Sequence, residues 1–195
     1  MVILVDMDDT IEYLLDAWLE KANAVYGRSV TREEITSWDV SAAYPGLTRQ
    51  QIYDLVLEDE FWKNVRPIPG AAEALKRFTE RGHYVYLVTA TPYESVRGKM
   101  DYHLFRHFPF IEWHQVIITS HKQMLKADIL IDDGIHNLEG GDYAKILVDA
   151  PYNRAYDAEA NGMIRVHSWA EIEEAVMRIE QEHNRESNGG KQPCN

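Results

Sequence analysis

The sequence predicts an α/β protein in which a parallel sheet is sandwiched by helices and a small helical cap is inserted after strand 1. Three observations predict this fold. Short apolar runs alternate with segments of helical periodicity. Residues 14–66 contain helical patterns but no apolar run typical of a strand. With 195 residues, 45% of them hydrophobic and 27% charged, the chain has a globular composition and suffices for one core domain with an insert.

The first elements are a strand and an all-helical segment. Residues 2–5 (VILV) are consecutively apolar, which is typical of a buried strand. Apolar residues then recur at helical spacing from 12 to 26. A capping-box pattern at 31–34 predicts the start of another helix, and Thr48 is a candidate N-cap for a third helix, which ends near residue 58.

Strands and helices alternate over the rest of the chain. The turn RPIPG at 66–70 leads into a helix that Gly82 ends. Further apolar runs predict strands at 83–89, 115–119, 128–132 and 145–149. Helical patterns are predicted at 92–108 and from Ser168 to about residue 182, the second with a capping box.

These elements suggest a division of the chain into a core, a cap and a tail. The predicted boundaries are 1–13 and 67–183 for the core domain, 14–66 for the cap, and 184–195 for a polar, disordered tail. The two crossings between core and cap, around residues 11–13 and 66–70, are the expected hinges.

Charge and composition exclude several classes of partner. The net charge of −12 argues against a nucleic-acid polymer or an anionic membrane surface. No apolar run approaches the roughly 20 residues of a membrane span, and the N-terminal segment lacks a basic signal-peptide region. The single cysteine, Cys194, fits a reducing compartment. We therefore expect a cytoplasmic protein, and the sequence leaves open whether it is a monomer or a homodimer.

Carboxylates cluster at the end of the first predicted strand, where Asp6, Asp8 and Asp9 follow one another closely. Their like charges raise one another's pKa unless a cation or hydrogen bonds compensate. Because parallel strands bring ligand-binding residues together beyond their carboxyl ends, Asp132 and Asp133 are expected to approach Asp6. Such carboxylates, with water and phosphate oxygens, suit magnesium (Mg2+).

The remaining polar residues at the strand ends favour phosphoryl chemistry. The hydroxyl and backbone N–H of Thr89 and the charge of Lys122 suit the oxygens of a transferring phosphoryl group. Asp6 can act as a nucleophile once a cation neutralises both partners of the attack. Asp8 can serve as general acid and then general base.

Four motifs, in this order, resemble those of the haloacid dehalogenase (HAD) superfamily of phosphatases. They are DMDDT at 6–10, LVTAT at 87–91, HKQ at 121–123 and LIDDG at 130–134. The resemblance implies a Rossmann-like, HAD-like core. A narrower resemblance, to the 5′(3′)-deoxyribonucleotidases, rests on PGLTRQQI at 45–52, PIPGAAEALK at 67–76, ADILIDDG at 127–134 and HSWAEIEEAV at 167–176.

This narrower resemblance implies a magnesium-dependent phosphatase that hydrolyses deoxynucleoside monophosphates through an aspartyl-phosphate. It makes Asp6 the nucleophile and Asp8 the general acid/base. It assigns magnesium to the side chains of Asp6 and Asp132 and the carbonyl of Asp8, with Asp133 orienting its waters. The substrate-binding positions that it implies are Thr89, Ala90 and Lys122. Among the aromatic residues of the cap, Trp38 is the best candidate for stacking on the base, and a place in the core of the cap is the alternative.

Several positions depart from the animal members of that family or leave alternatives open. Gly-Val follows the second aspartate there, whereas this chain has Asp9 and Thr10. We interpret Asp9 as a residue that faces the loop or caps the next helix, and a ligand role is the alternative. Ala90 lacks the hydroxyl of the family's second motif, for which Thr91 is a substitute, and Leu14 replaces an aromatic that contacts the base. Lys126 is the rival of Lys122 for the phosphate, and His121 is a further candidate for a phosphate contact. His103 is expected to be a surface or core-edge residue.

Two other functions remain open at the level of sequence. The same chemistry would serve a phosphatase for a non-nucleotide small metabolite, because the motifs describe the phosphoryl site alone. A catalytically inert, nucleotide-binding relative is the third hypothesis, although such proteins usually lose the nucleophile or the acid, and Asp6 and Asp8 are both present.

Overall fold

The computed structural model describes the backbone of residues 1–189 and the side chains of residues 1–185. Its centre is a six-stranded sheet in the order β3-β2-β1-β4-β5-β6, with every neighbouring pair parallel. The strands are β1 Val2–Asp6, β2 Tyr84–Thr89, β3 Val116–Ile118, β4 Ile129–Asp132, β5 Ala144–Val148 and β6 Met163–Val166. The predicted α/β, Rossmann-like parallel sheet is therefore confirmed.

Helices cover both faces of the sheet. The α-helices are α1 Leu14–Tyr26, α2 Arg49–Tyr53, α3 Asp59–Trp62, α4 Ala71–Glu80, α5 Tyr93–Arg97, α6 Phe105–His107, α7 Ile135–Leu138 and α8 Trp169–Gly189. A π-helical segment, Gly98–Leu104, joins α5 to α6. Gly82, with a φ of 85°, lies just beyond the end of α4 in the left-handed region that glycine tolerates.

Alternate residues of the central strands supply two separate apolar layers. Val5 and Leu87 belong to the layer that packs against α4 and α8, whereas Leu4 and Leu130 belong to the layer on the other face. Because both faces are covered, the central strands are apolar almost throughout, as the sequence pattern indicated. Their polar residues appear only at the carboxyl ends, where Asp6 pairs in register with Val88.

The segment predicted as the cap has an apolar cluster of its own. Its buried members include Trp18, Ile52 and Trp62. The two crossings run side by side: Tyr13 N–H donates to the carbonyl of Arg66 at 2.9 Å, and Ile68 N–H donates to the carbonyl of Ile11 at 2.8 Å. The two segments expected to be hinges are thus held together by backbone hydrogen bonds.

Some elements differ from the sequence-based expectation. Strand β6 was not predicted, because its short run MIRV contains Arg165. The helix expected from Thr48 to residue 58 is broken into α2, a 3-10 turn at Asp54–Val56, and α3. The capping box at 31–34 opens only one 3-10 turn, Arg32–Glu34.

Helix α8 is longer than predicted, since it runs from Trp169 to Gly189. The prediction of a disordered tail is therefore wrong for residues 184–189, because no proline or glycine interrupts the helical run before Gly189. Residues 190–195, the rest of that predicted tail, lie outside the described residues. Within the described part of the chain, every helix is too short or too polar to cross a bilayer.

Candidate active site

The carboxylates of Asp6, Asp132 and Asp133 meet at the carboxyl ends of β1 and β4. These strands are neighbours in the sheet, and an oxygen of each carboxylate lies within 4.8 Å of the others. All three side chains are buried. Burial raises the pKa of Asp6 to about 6, with Lys122 opposing the rise and Asp132 adding to it. The predicted convergence of these three residues is present.

Lys122 reaches into this cluster from the 3-10 turn Lys122–Met124. Its Nζ lies 2.5 Å from Asp6 Oδ1 and 2.6 Å from Asp132 Oδ2. Burial disfavours its charge, but the two carboxylates outweigh burial and raise the pKa of Lys122, so the ammonium stays protonated. Its rival Lys126 is exposed, as is His121. The turn therefore delivers Lys122, and not Lys126, to the cluster.

The other oxygens of the acidic cluster differ in what they contact. Asp132 Oδ1 accepts hydrogen bonds from the backbone N–H of Gly134 at 2.8 Å and from Asn137 Nδ2 at 2.9 Å. Asp133 Oδ2 accepts a hydrogen bond from the hydroxyl group of Tyr152. Asp133 Oδ1 is buried and has no hydrogen-bond partner among the described residues. An unpartnered buried oxygen beside two further carboxylates fits a hard divalent cation, which takes oxygen ligands.

Asp8 lies at the edge of the cavity, with 29% of its side chain exposed. Its Oδ1 accepts a hydrogen bond from Lys99 Nζ at 2.5 Å. Burial raises the pKa of Asp8 well above its usual range; Lys99 opposes the rise, and Glu12 and Asp6 add to it. A raised pKa lets a carboxyl group carry a proton near neutral pH, as a general acid must.

Thr89 lies beneath the cavity and is fully buried. Its Oγ1 accepts a hydrogen bond from Lys99 Nζ at 2.9 Å and lies 2.8 Å from Thr91 Oγ1. Ala90 and Thr91 line the cavity itself, whereas Thr89, which the sequence assigned to substrate binding, does not belong to its lining.

Sequence reasoning missed three residues behind Asp8. Lys99, Glu12 and His103 are all fully buried. The expectation that His103 lies at the surface or the core edge is wrong, because its Nε2 lies 2.8 Å from Glu12 Oε2. Burial disfavours ionised Glu12, but Lys99 and His103 outweigh burial and lower the pKa of Glu12 to about 2. The spacing of Lys99 and His103, four residues apart in one helical segment, was the available signal.

A cavity of about 260 Å³ lies above the acidic cluster. The predicted cap supplies an apolar wall, which includes Leu14, Val40 and Trp62. Trp38 stands at the same cavity and is 49% exposed. Its ring centroid lies 4.8 Å from that of His136 and 5.2 Å from that of Tyr152, both edge-to-face. The cavity thus combines a charged floor with an aromatic and aliphatic wall.

Asp9 connects the first strand to the cap. With a φ of 51° it occupies the left-handed region that glycine favours. Its Oδ2 accepts a hydrogen bond from the N–H of Leu15 at 3.1 Å, so of the alternatives left open by the sequence, Asp9 caps the first turn of α1. Its Oδ1 accepts a hydrogen bond from Arg32 Nη1 at 2.9 Å, and this bond connects Asp9 to the cap segment.

The parallel sheet with an acidic cluster at its carboxyl edge has the fold of the HAD class, and solved structures share this fold. A HAD family hydrolase from Deinococcus radiodurans R1, solved with bound phosphate and sodium, superposes with a TM-score of 0.61 at 16% identity, over 92% of this chain and 96% of that one. A protein from Lactobacillus delbrueckii subsp. bulgaricus, described as a candidate phosphoglycolate phosphatase, gives a TM-score of 0.59 at 16% identity, over 90% and 97% of the two chains.

Sequence comparison narrows the class to one family. The model of the 5′ nucleotidase, deoxy (Pyrimidine), cytosolic type C protein family (NT5C) matches residues 1–182. A 5′(3′)-deoxyribonucleotidase of Bacillus subtilis is 34% identical over 177 residues, which cover 90% of this chain and 98% of the relative. One of Clostridium acetobutylicum is 31% identical over 167 residues, covering 86% and 89%. The chain belongs to this family, and the predicted hydrolase of 5′-nucleotidase type is confirmed.

Proposed function

We propose that the protein is a magnesium-dependent phosphatase that hydrolyses deoxynucleoside monophosphates through an aspartyl-phosphate on Asp6. The observation that carries the proposal is the meeting of Asp6, Asp132, Asp133 and Lys122 beneath a cavity with an aromatic wall. The curated relatives named 5′(3′)-deoxyribonucleotidase support the choice of substrate.

The acidic cluster is the proposed magnesium site. The side chains of Asp6 and Asp132 and the backbone carbonyl of Asp8 would hold the ion, with Asp133 orienting its waters. When bound, Mg2+ supplies positive charge that stabilises the phosphoryl oxygens and allows two anions to approach each other. The unpartnered oxygen of Asp133 supports this assignment, because a buried carboxylate oxygen needs a positive partner.

In the first half-reaction a carboxylate oxygen of Asp6 attacks phosphorus. The bond from phosphorus to the ester oxygen breaks, and the departing oxygen takes the proton of Asp8. Lys122, 2.5 Å from Asp6 Oδ1, offsets the charge of the carboxylate and phosphoryl oxygens. The cavity-lining segment at Ala90 and Thr91 contributes backbone N–H groups and the Thr91 hydroxyl, and Thr89 supports them from beneath.

In the second half-reaction Asp8, now ionised, removes a proton from water. The resulting oxygen attacks phosphorus, the bond to Asp6 breaks, and inorganic phosphate leaves while Asp8 retains the proton for the next turnover. The exposed edge of Asp8 faces the cavity, where both the ester oxygen and the water would lie.

The wall of the cavity is the proposed site for the base. Trp38 offers a face for stacking, and Leu14 adds an apolar surface to the same cavity. A half-exposed tryptophan at a cavity of this kind fits a planar, apolar group better than a sugar alone. A homodimer and a cytoplasmic location stay predictions from the sequence.

The experiment that tests this function is a panel of phosphate esters assayed with and without Mg2+. We expect the deoxynucleoside monophosphates to be hydrolysed fastest, with no turnover after chelation. Asp6→Asn is expected to abolish turnover, because an amide is a poor nucleophile, while Asp101→Asn, at an exposed position, leaves it unchanged. Faster turnover of sugar phosphates would contradict the nucleotide assignment, and metal-independent or absent turnover would contradict the enzyme mechanism.

A further inference from the structure

A buried chain of charged residues extends away from the cavity behind Asp8. Lys99 Nζ contacts Asp8 Oδ1 at 2.5 Å on one side and lies 3.5 Å from Glu12 Oε1 on the other. The second oxygen of Glu12 lies 2.8 Å from His103 Nε2. Glu12 and His103 do not line the cavity, so neither is placed to touch a substrate.

The far end of this chain lies at the junction between core and cap. His103 Nδ1 lies 3.1 Å from the carbonyl oxygen of Val65, next to the second crossing. Glu12 itself sits in the first crossing, where its backbone pairs with Asp8 on one side and with Pro67 on the other. Glu12 and His103 therefore contact both crossings and, through Lys99, the carboxyl group of Asp8.

The π-helical segment Gly98–Leu104 places Lys99 and His103 on the side of Glu12. This part of the helix packs tightly against the predicted cap. A Cβ atom added at Gly98 would lie 2.6 Å from Trp62 Cδ1 and 2.9 Å from Asp59 Oδ1, so only glycine fits there without a shift. The Trp62 ring also covers Lys99, whose Nζ is 5.1 Å from the ring centroid. Isolated π turns are frequent at functional sites because they redirect side chains.

Stability alone does not explain these groups. Each buried charge costs several kcal/mol of desolvation, and well-packed apolar residues often serve a core equally well or better. Lys99 and Glu12 are both fully buried, and the contact with Lys99 restricts the Asp8 carboxyl group to one orientation. This restriction matters because Asp8 is partly exposed at the cavity. General acid catalysis needs the proton donor oriented within hydrogen-bond reach of the departing oxygen.

We propose that Glu12 and His103 are positioning residues, which hold Lys99 and thereby orient Asp8 toward the leaving-group oxygen. The proposal rests on the proposed phosphatase function and adds to it the residues that set the acid in place. It also links that orientation to the junction between core and cap, because both residues contact the crossings. Neither residue touches the substrate.

The test compares two phosphate esters in the variants Glu12→Gln and His103→Gln. An alkyl ester such as a deoxynucleoside monophosphate needs a proton on its departing oxygen, whereas p-nitrophenyl phosphate releases a stable phenolate. We expect kcat/KM for the deoxynucleotide to fall about 10- to 100-fold, a part of the 10²–10⁴ that acid catalysis contributes. For p-nitrophenyl phosphate we expect a loss below about threefold, since its departure needs little proton transfer.

Glu173→Gln is the matched control, because Glu173 is also paired with a cation, Arg77 at 2.6 Å, but on the surface between α4 and α8. It should leave both esters unaffected. Equal losses for the two esters in Glu12→Gln and His103→Gln would mean a merely structural role and would overturn the proposal, as would no loss for either ester. If Glu12→Gln does not fold, His103→Gln, which keeps both charges of Lys99 and Glu12, carries the comparison.

The outcomes also separate this inference from the proposed function. If the wild-type protein hydrolyses neither ester with Mg2+, the proposed function and the positioning role are both contradicted. If it prefers another alkyl phosphate to deoxynucleotides, that ester replaces the deoxynucleotide in the comparison, and the positioning role is tested although the substrate assignment has failed.

Discussion

Lys122 Nζ lies 2.5 Å from Asp6 Oδ1, and the same nitrogen lies 2.6 Å from Asp132 Oδ2. One ammonium group thus contacts two buried carboxylates on neighbouring strands and offsets part of their negative charge. The position of Lys122 between them means that the acidic cluster depends on this residue when no divalent cation is bound.

Replacement of Lys122 by methionine should therefore affect both stability and activity. We expect the free energy of unfolding to fall by about 3–5 kcal/mol without Mg2+, because two buried charges lose their partner, and by less with Mg2+. We expect kcat to fall about 100-fold or more. Urea unfolding and steady-state kinetics measure the two effects, and Lys126→Met, four residues further on and exposed, is the control. Equal stability of the two variants would contradict this role.

Trp38 is expected to bind the base of the substrate. Because stacking of a base on an aromatic side chain contributes about 1–3 kcal/mol, Trp38→Ala should raise KM for a deoxynucleoside monophosphate about 5- to 100-fold. KM for deoxyribose 5-phosphate, which has no base, should not change. Trp113→Ala is a matched control, since Trp113 is 79% exposed and lies before β3, away from the cavity. A parallel rise of KM for both substrates would rule out stacking.

Arg32 ties the cap segment to the first strand, because its Nη1 contacts Asp9 Oδ1 at 2.9 Å and Asp16 Oδ2 at 2.7 Å. Arg32→Gln should loosen the cap and raise KM about fivefold, the equivalent of about 1 kcal/mol. Hydrogen exchange of residues 27–48 should become faster in this variant and stay unchanged in Glu20→Gln, at an exposed position of α1. Unaltered exchange together with an unaltered KM would show that the contact does not hold the cap.

Binding of Mg2+ should depend on pH through Asp6. Since the pKa of Asp6 is raised to about 6, the carboxylate is ionised at pH 7 and largely protonated at pH 5. A protonated carboxyl group must lose its proton to bind a metal, so the apparent Kd for Mg2+ should rise about tenfold between pH 7 and pH 5. Titration of the melting temperature with Mg2+ at both pH values measures this. Equal affinity at the two pH values would exclude Asp6 as a titrating ligand.

Much of the fold was predictable because apolar runs and polar strand ends are local signals. Asp6 and Asp132 each follow such a run. The parallel pairing of β1 with β4 then places the two carboxylates side by side at the same edge of the sheet. Strand β6 gave no such signal, because Arg165 interrupts its apolar pattern; in the structure its guanidinium binds Asp149 and Asn153.

The residues behind Asp8 were not predictable in the same way. Glu12, Lys99 and His103 look like solvated residues of a polar helix face or a loop, and only their mutual contacts make their burial tolerable. Those contacts depend on the π turn at Gly98–Leu104 and on the side-by-side crossings, neither of which has a local pattern in the sequence. The choice between Lys122 and Lys126 likewise depended on which one the turn buries.

The central claim is that Asp6 is aimed at phosphorus beside a cation shared with Asp132. A crystal structure with Mg2+ and beryllium fluoride, which mimics a phosphoryl group on a carboxylate, tests it most directly. We predict a beryllium–oxygen bond to Asp6, an ion held by Asp6, Asp132 and the carbonyl of Asp8, and Lys122 in contact with fluoride. Beryllium fluoride attached to another residue, or an ion bound away from Asp6 and Asp132, would contradict the account.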